Sequence, residues 1–225
     1  MSDKTLFITG ASTGIGAATA RAAAQAGWSV ALFARSADKL DALTREIGTD
    51  RALALPGDVT DLSALQGAVR DAGAHFGGLQ AAFANAGVGL DAPGVGGGDP
   101  EEWRHMMEIN VMGVLWTAKA TYDALKDSQG HLVITGSSAG ERHMPGSVYG
   151  ASKWFVHGFA GNIAEEMREW GGRCTLIAPG MVDTPFFDEP KPGKLRPEDV
   201  AEAVVHALQA PRRAEVRKTV ILPTD

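Results

Sequence analysis

With 225 residues, 44% of them hydrophobic, the chain is long enough to bury a substantial core and suits one large domain. Its formal charge of −6, from 27 acidic and 21 basic side chains with no basic block, argues against nucleic acid or an acidic membrane surface as the principal partner. One cysteine excludes an intrachain disulfide, no apolar run approaches a membrane span, and the first residues lead into a strand-like segment rather than a signal peptide, so a cytoplasmic location is expected.

Short apolar runs alternate with longer amphipathic stretches from end to end, the pattern of a parallel sheet with helices on both faces. The predicted strands are Thr5–Thr9, Ser29–Phe33, Ala52–Leu55, Gln80–Ala84, His131–Thr135, Cys174–Ala178 and Thr219–Leu222. The predicted helices are Gly14–Ala26, Ala37–Ile47, Leu62–Ala74, Pro100–Lys126, Val148–Trp170 and Pro197–Gln209. No repeat or linker marks a second domain, so 1–225 is expected to form one unit. Cys174, among Thr175-Leu176-Ile177-Ala178, fits a buried strand position better than a reactive thiol. The six histidines (75, 105, 131, 143, 157, 206) show no ligand spacing; no metal is expected, and most should lie at the surface.

The first strand runs into Thr9-Gly10-Ala11-Ser12-Thr13-Gly14-Ile15-Gly16, and an alanine-rich helix follows. Glycines there let the backbone approach a pyrophosphate, and the helix N-terminus offers unpaired N–H groups with partial positive charge. Far downstream, Tyr149 and Lys153 stand four apart and share one face of a predicted helix. An ammonium within a few Å would lower a phenol's pKa by roughly 1–3 units, which makes an acid–base catalyst. A packed tyrosine beside a solvated lysine is the plain alternative.

Together, the Gly-x-x-x-Gly-x-Gly turn and the Tyr-x-x-x-Lys pair resemble the short-chain dehydrogenase/reductase family, over nearly the whole chain. The resemblance implies a Rossmann-type fold, here a doubly wound seven-stranded parallel sheet, with a nicotinamide cofactor and hydride transfer between alcohol and carbonyl. Gly10, Ser12, Thr13, Gly14, Ile15 and Gly16 would then cradle the pyrophosphate. After the second strand, a carboxylate would bind the ribose 2′-hydroxyl of NAD, whereas a guanidinium would grip a 2′-phosphate. The chain has Ala34-Arg35-Ser36 there, so NADP(H) is expected, with Arg35 and Ser36 at the phosphate; the competing reading gives an NAD ribose to Asp38. Gly57-Asp58-Val59 resembles the family's adenine-contacting segment, although Asp58 could instead cap the helix beginning near Asp61. Asn85-Ala86-Gly87 is similar to the family's Asn-Asn-Ala-Gly, with Ala84 in the first place, and implies a brace beneath the cofactor. The loop Val88–Gly98, with five glycines, is expected to be flexible at the site mouth.

By the same resemblance, Asn110 would hold a water linking Lys153 to solvent, although a side-chain amide inside a helix can also be satisfied locally. Ser137, in Gly136-Ser137-Ser138-Ala139-Gly140, is chosen as the carbonyl-orienting donor, with Ser138 as the alternative because the separation to Tyr149 is one residue short of the family's habit. Lys153 would lower the Tyr149 pKa and hold the nicotinamide ribose. Arg142 could meet a substrate carboxylate or simply be a surface charge, and Trp154 fits packing. Pro179-Gly180-Met181-Val182-Asp183-Thr184 resembles the turn over the nicotinamide, with backbone contacts from Val182 and a hydroxyl from Thr184 to carboxamide or pyrophosphate. The short, proline-bearing lid between Thr184 and Pro197 predicts an open or shallow pocket, and the ending Val220-Ile221-Leu222-Pro223-Thr224 resembles members acting on small hydroxy acids and aldehydes. The expectation is an NADP(H)-dependent reductase or alcohol dehydrogenase for a small carbonyl or alcohol, assembled as a homodimer or homotetramer. An NADP-binding redox sensor without turnover is the alternative; an epimerase or dehydratase would want a larger substrate domain.

Overall fold

The computed structural model describes residues 4–90 and 94–224; the 91–93 part of the Val88–Gly98 loop and the two chain ends lie outside the described residues. Seven strands form one sheet: β1 (Thr5–Thr9), β2 (Ser29–Ala34), β3 (Ala52–Pro56), β4 (Ala81–Ala84), β5 (His131–Thr135), β6 (Arg173–Pro179) and β7 (Lys218–Ile221). Their order is β3-β2-β1-β4-β5-β6-β7, and every neighbouring pair is parallel. The helices are α1 (Gly14–Gln25), α2 (Ala37–Ile47), α3 (Leu62–Phe76), α4 (Pro100–Met107), α5 (Gly113–Ser128), α6 (Val148–Arg168) and α7 (Pro197–Gln209). This is the doubly wound sheet expected from the alternating sequence.

The inner strands are buried on both faces, so their apolar residues divide by parity rather than facing water, while the edge strand β7 is partly exposed. Leu6, Ile8, Val30, Leu32 and Phe83 pack with Ala17, Ala20, Leu40, Val200 and Val204 of α1, α2 and α7. Phe7, Phe33, Leu132 and Ile134 turn the other way, onto Leu65, Val69, Val114, Val156 and Ile163 of α3, α5 and α6. Cys174 belongs to that second layer and is buried, as its neighbourhood suggested. Strand order reverses between β1 and β4, which opens a crevice at their carboxyl ends.

The predicted helix Pro100–Lys126 is instead α4 and α5 joined by a π-helical turn over Glu108–Met112. Asp99 accepts from Glu101 N at 2.9 Å and Pro100 occupies the first turn, which fixes the start. Within the wide turn, buried Asn110 takes both polar groups of Val88 into its side-chain amide. Single π turns of this kind concentrate at functional sites. Four of the other elements keep their predicted limits, and the rest move by one or two residues.

Four of the six histidines are exposed, as expected; at the sheet's opposite end, His131 in β5 is the buried one, 2% exposed. Thr175 donates its hydroxyl proton to the Val216 carbonyl at 2.5 Å, so it accepts from His131 Nε2–H at 2.7 Å. Nδ1 is then the unprotonated nitrogen, buried without a partner. Burial, with Arg173 nearby, pushes His131 down to about 3 from an ordinary 6.5. Between those values the unfolded chain carries one proton more, so the stability this histidine contributes is full above pH 6.5 and is lost as pH falls toward 3. Urea titrations from pH 7 to 4 should show stability falling by up to ~1.4 kcal/mol per pH unit from this group, and His131→Gln should remove one proton from the slope. An unchanged slope in the variant would contradict the assignment.

Candidate active site

A cavity of about 520 Å³ follows the crevice at the carboxyl ends of β1, β4, β5 and β6. At one end lies the glycine turn, where Gly10 and Gly14 take φ of +66° and +53°, a region that other side chains rarely adopt. A Cβ on Gly10 would sit 2.8 Å from Ala86 Cα, and one on Gly16 would sit 2.2 Å from the Gly10 carbonyl oxygen. Those clashes explain the spacing: β1 and α1 cross backbone to backbone. Helix α1 has no side-chain cap and no acidic residue in its first turn, so its N-terminal amides are left for a ligand. Gly10, Ser12, Thr13, Gly14 and Ile15 line the cavity, while Gly16 lies beneath it as the contact that permits the crossing.

Asn85 ties three strands together. Its Nδ2 donates to the Thr9 carbonyl at 3.1 Å and its Oδ1 accepts from Thr135 Oγ1 at 3.1 Å. Thr9 Oγ1 accepts from Asn85 N at 3.0 Å, and donates to the Phe83 carbonyl at 3.3 Å. Thr9 and Thr135 were not singled out from sequence; a threonine at the last position of each of the two strands that flank β4 is the signal that could have found them.

Arg35 and Ser36 line the cavity beyond β2, together with Asp58 and Val59 after β3. Asp38, the competing ribose ligand, is exposed on α2 and is not among the cavity's lining residues. Asp58 does not cap α3: Asp61 does, accepting from Ala64 N at 3.0 Å. Asp58 instead accepts from Thr60 N and Oγ1 at 3.0 and 2.9 Å. Burial would raise the Asp58 carboxyl, but the two bonds from Thr60, with Arg35 and His105 nearby, hold it below its ordinary value.

At the other end, Ser147 caps α6 by accepting from Gly150 N at 2.9 Å, and so fixes where Tyr149 and Lys153 enter the cavity. Ser137 and Ser138 both line the cavity, and the Ser137 hydroxyl is the one that bears on the Tyr149 phenol, pulling its pKa down. Lys153 is 5% exposed, donates to the Thr135 carbonyl at 3.2 Å, and lies 5.9 Å from the Tyr149 ring centre. Burial pushes Lys153 down to about 8. The expected lowering of Tyr149 by its lysine is not what this arrangement yields. Burial raises the phenol, only the Ser137 bond opposes it, and the ammonium is itself desolvated. Asn110 does not line the cavity. It sits behind it and anchors Val88, one residue after the Gly87 backbone that runs between Asn110 and Lys153.

Ala86, Gly87, Pro179, Gly180, Val182 and Thr184 complete the lining. Thr184 packs on the glycine turn, its Cγ2 standing 3.3 Å from where a Cβ on Gly14 would lie. The lid's base is closed by Asp183 N donating to the Leu195 carbonyl at 2.7 Å and Lys191 N to Asp183 Oδ1 at 2.8 Å. The lid is short yet reaches the site: Phe186, itself exposed on its outer side, meets Tyr149 edge to face at 5.8 Å and packs on Gly89, forming one wall of a pocket that stays partly open. Arg142 and Met144 line the cavity from the loop before α6, and Trp154 stacks on His143. Among the described residues no helix is long and apolar enough to cross a membrane.

The family model described as short chain dehydrogenase matches residues 4–194. An uncharacterized oxidoreductase of Staphylococcus aureus strain MRSA252 is 34% identical over 99% of this chain and 98% of its own length. Among solved structures, an alcohol dehydrogenase from the archaeon Thermococcus sibiricus, complexed with 5-hydroxy-NADP, is 32% identical with a TM-score of 0.90, covering 98% of this chain and 97% of that one. Serine dehydrogenase from Escherichia coli is 27% identical with a TM-score of 0.88, covering 97% of both chains. With the glycine turn, the sheet and the paired Tyr149 and Lys153 in one crevice, the chain belongs to the short-chain dehydrogenase family and is an oxidoreductase.

Proposed function

We propose that the chain is an NADP(H)-dependent oxidoreductase that interconverts a small carbonyl compound and its alcohol, working as one cofactor-binding and catalytic unit in the cytoplasm and as a homodimer or homotetramer. The observation that carries this reading is the convergence of Ser137, Tyr149 and Lys153 at one end of a cavity whose other end is the uncapped glycine turn with Arg35. The residues fit a dinucleotide. Backbone without side chains faces the pyrophosphate position, and buried Lys153 has one protein acceptor for its three N–H groups, which leaves donors for ribose hydroxyls. Arg35 and Ser36 would take the 2′-phosphate, Asp58 and Val59 the adenine, and Pro179, Gly180, Val182 and Thr184 the nicotinamide side and the pyrophosphate. The Thermococcus relative's 5-hydroxy-NADP complex favours the same cofactor class.

Bound there, a nicotinamide would supply or accept the hydride. Ser137 donates its hydroxyl proton to the substrate oxygen, and Tyr149, a phenol at neutral pH, gives its proton to the developing alkoxide. Lys153 stabilises the phenolate left behind, and Asn110 holds the Val88 segment behind the lysine and bounds the route to solvent. A raised phenol and a cationic lysine suit reduction of a carbonyl. Arg142 and Met144 border the substrate end, opposite Phe186.

Loss of NADPH and NADH absorbance with a panel of small aldehydes, β-keto acids and keto esters tests the reading; tight NADPH binding with no turnover on any of them would favour the sensor instead. Tyr149→Phe should keep NADPH affinity and lose turnover by ~10²–10⁴-fold, and full turnover in that variant would reject the assignment. Arg35→Ala should weaken NADPH by on the order of tenfold and leave NADH nearly unchanged, in line with a charge-assisted bond; equal effects on both would remove Arg35 from the phosphate. For carbonyl reduction, kcat/KM should fall as pH rises through about 8, where Lys153 loses its proton. A level profile to pH well above that value would show that the lysine's charge is not required.

A further inference from the structure

The turn that carries Ser137 is held by a side chain with no part in this chemistry. His157 stands on α6 one turn beyond Lys153, half-buried, and its Nε2 accepts from Ser137 N–H at 3.4 Å. The turn is shaped around the ring: a Cβ on Gly136 or Gly140 would lie 2.7 or 2.8 Å from imidazole atoms. Because Nε2 accepts, the ring's single proton sits on Nδ1, which faces the Glu141 carboxylate at 3.9 Å. Glu141 is in turn ion-paired with Lys218 of the edge strand β7. Glu141, Lys218 and Lys153 are the charged groups around the imidazole.

We propose that His157 is a positioning residue: as a neutral imidazole oriented by the Glu141–Lys218 pair, it holds the Ser137 turn in the register that brings the serine hydroxyl to Tyr149 and to a substrate oxygen. The inference rests on the oxidoreductase reading of the site. Protonation would turn Nε2 into a donor facing the Ser137 N–H donor and add a cation near Lys153, so the turn loses its anchor. Burial and Lys218 hold His157 below its ordinary value against the pull of Glu141, which keeps it neutral at pH 7. The rate should therefore fall on the acid side of the profile as His157 gains its proton.

His157→Gln keeps an acceptor near the Nε2 position and cannot titrate, whereas His157→Phe fills the space without an acceptor. With the best carbonyl substrate from the panel and NADPH, His157→Phe should lower kcat on the order of tenfold or more while NADPH Kd stays unchanged. His157→Gln should recover most of the rate and lose the acidic limb of the wild-type profile. Wild-type kcat in His157→Phe, a glutamine variant no better than the phenylalanine one, or an acidic limb that survives in His157→Gln would each overturn the proposal. If His157→Phe fails to fold, the limb in His157→Gln still decides. Ser137→Ala, assayed beside them, separates the two readings: full activity there would defeat the site assignment itself, whereas loss there with normal His157 variants would defeat only the positioning role.

Discussion

Two backbones meet with no side chain between them where β1 hands over to α1, and the rest of the site depends on that contact. The Gly16 Cα hydrogens face the Gly10 carbonyl so closely that even a methyl group would overlap it. The crossing sets the N-terminus of α1 over the point where strand order reverses, with its amides uncapped and no acidic side chain in its first turn. Asn85, clasped by Thr9 and Thr135, then fixes the ends of β1, β4 and β5 relative to that turn. In a chain of net charge −6, the local positive groups at this end of the cavity are the uncapped amides of α1 and the Arg35 guanidinium.

Burial organises the other end. A desolvated phenol resists losing its proton and a desolvated ammonium resists keeping one, so burial moves the two pKa values apart, the phenol upward and the ammonium down to about 8. Ser137 is the one group that lowers the phenol in this arrangement. Its geometry is therefore as consequential as that of the tyrosine, and it depends on a short turn seated on α6.

Several particulars were legible in the chain before any coordinates. The alternation of apolar runs gave seven strands at nearly the observed positions, because strands buried on both faces must be continuously apolar. The glycine spacing was legible because each glycine answers a steric demand that no other residue meets. Where the reading missed, the cause was a contact that residue spacing does not announce, whether near or far along the chain. Nothing local distinguishes Asp58 from Asp61 as a cap until Thr60 is seen to occupy the former. The π turn depends on Val88, 22 residues before Asn110. The lid's length does not tell that Phe186 meets Tyr149 edge to face at one side of the pocket.

By itself, the sequence determined the layered fold, the glycine turn before α1 and the pairing of Tyr149 with Lys153, since these follow from periodicity, backbone sterics and helical spacing, all local properties. Only the tertiary structure decided how those groups titrate, which serine hydroxyl bears on the phenol's pKa, and which of the six histidines are buried or half-buried, His131 and His157. Desolvation and hydrogen-bond partnership are properties of surroundings, and for Lys153, Tyr149 and the two histidines those surroundings come mostly from strands and turns far away in the chain.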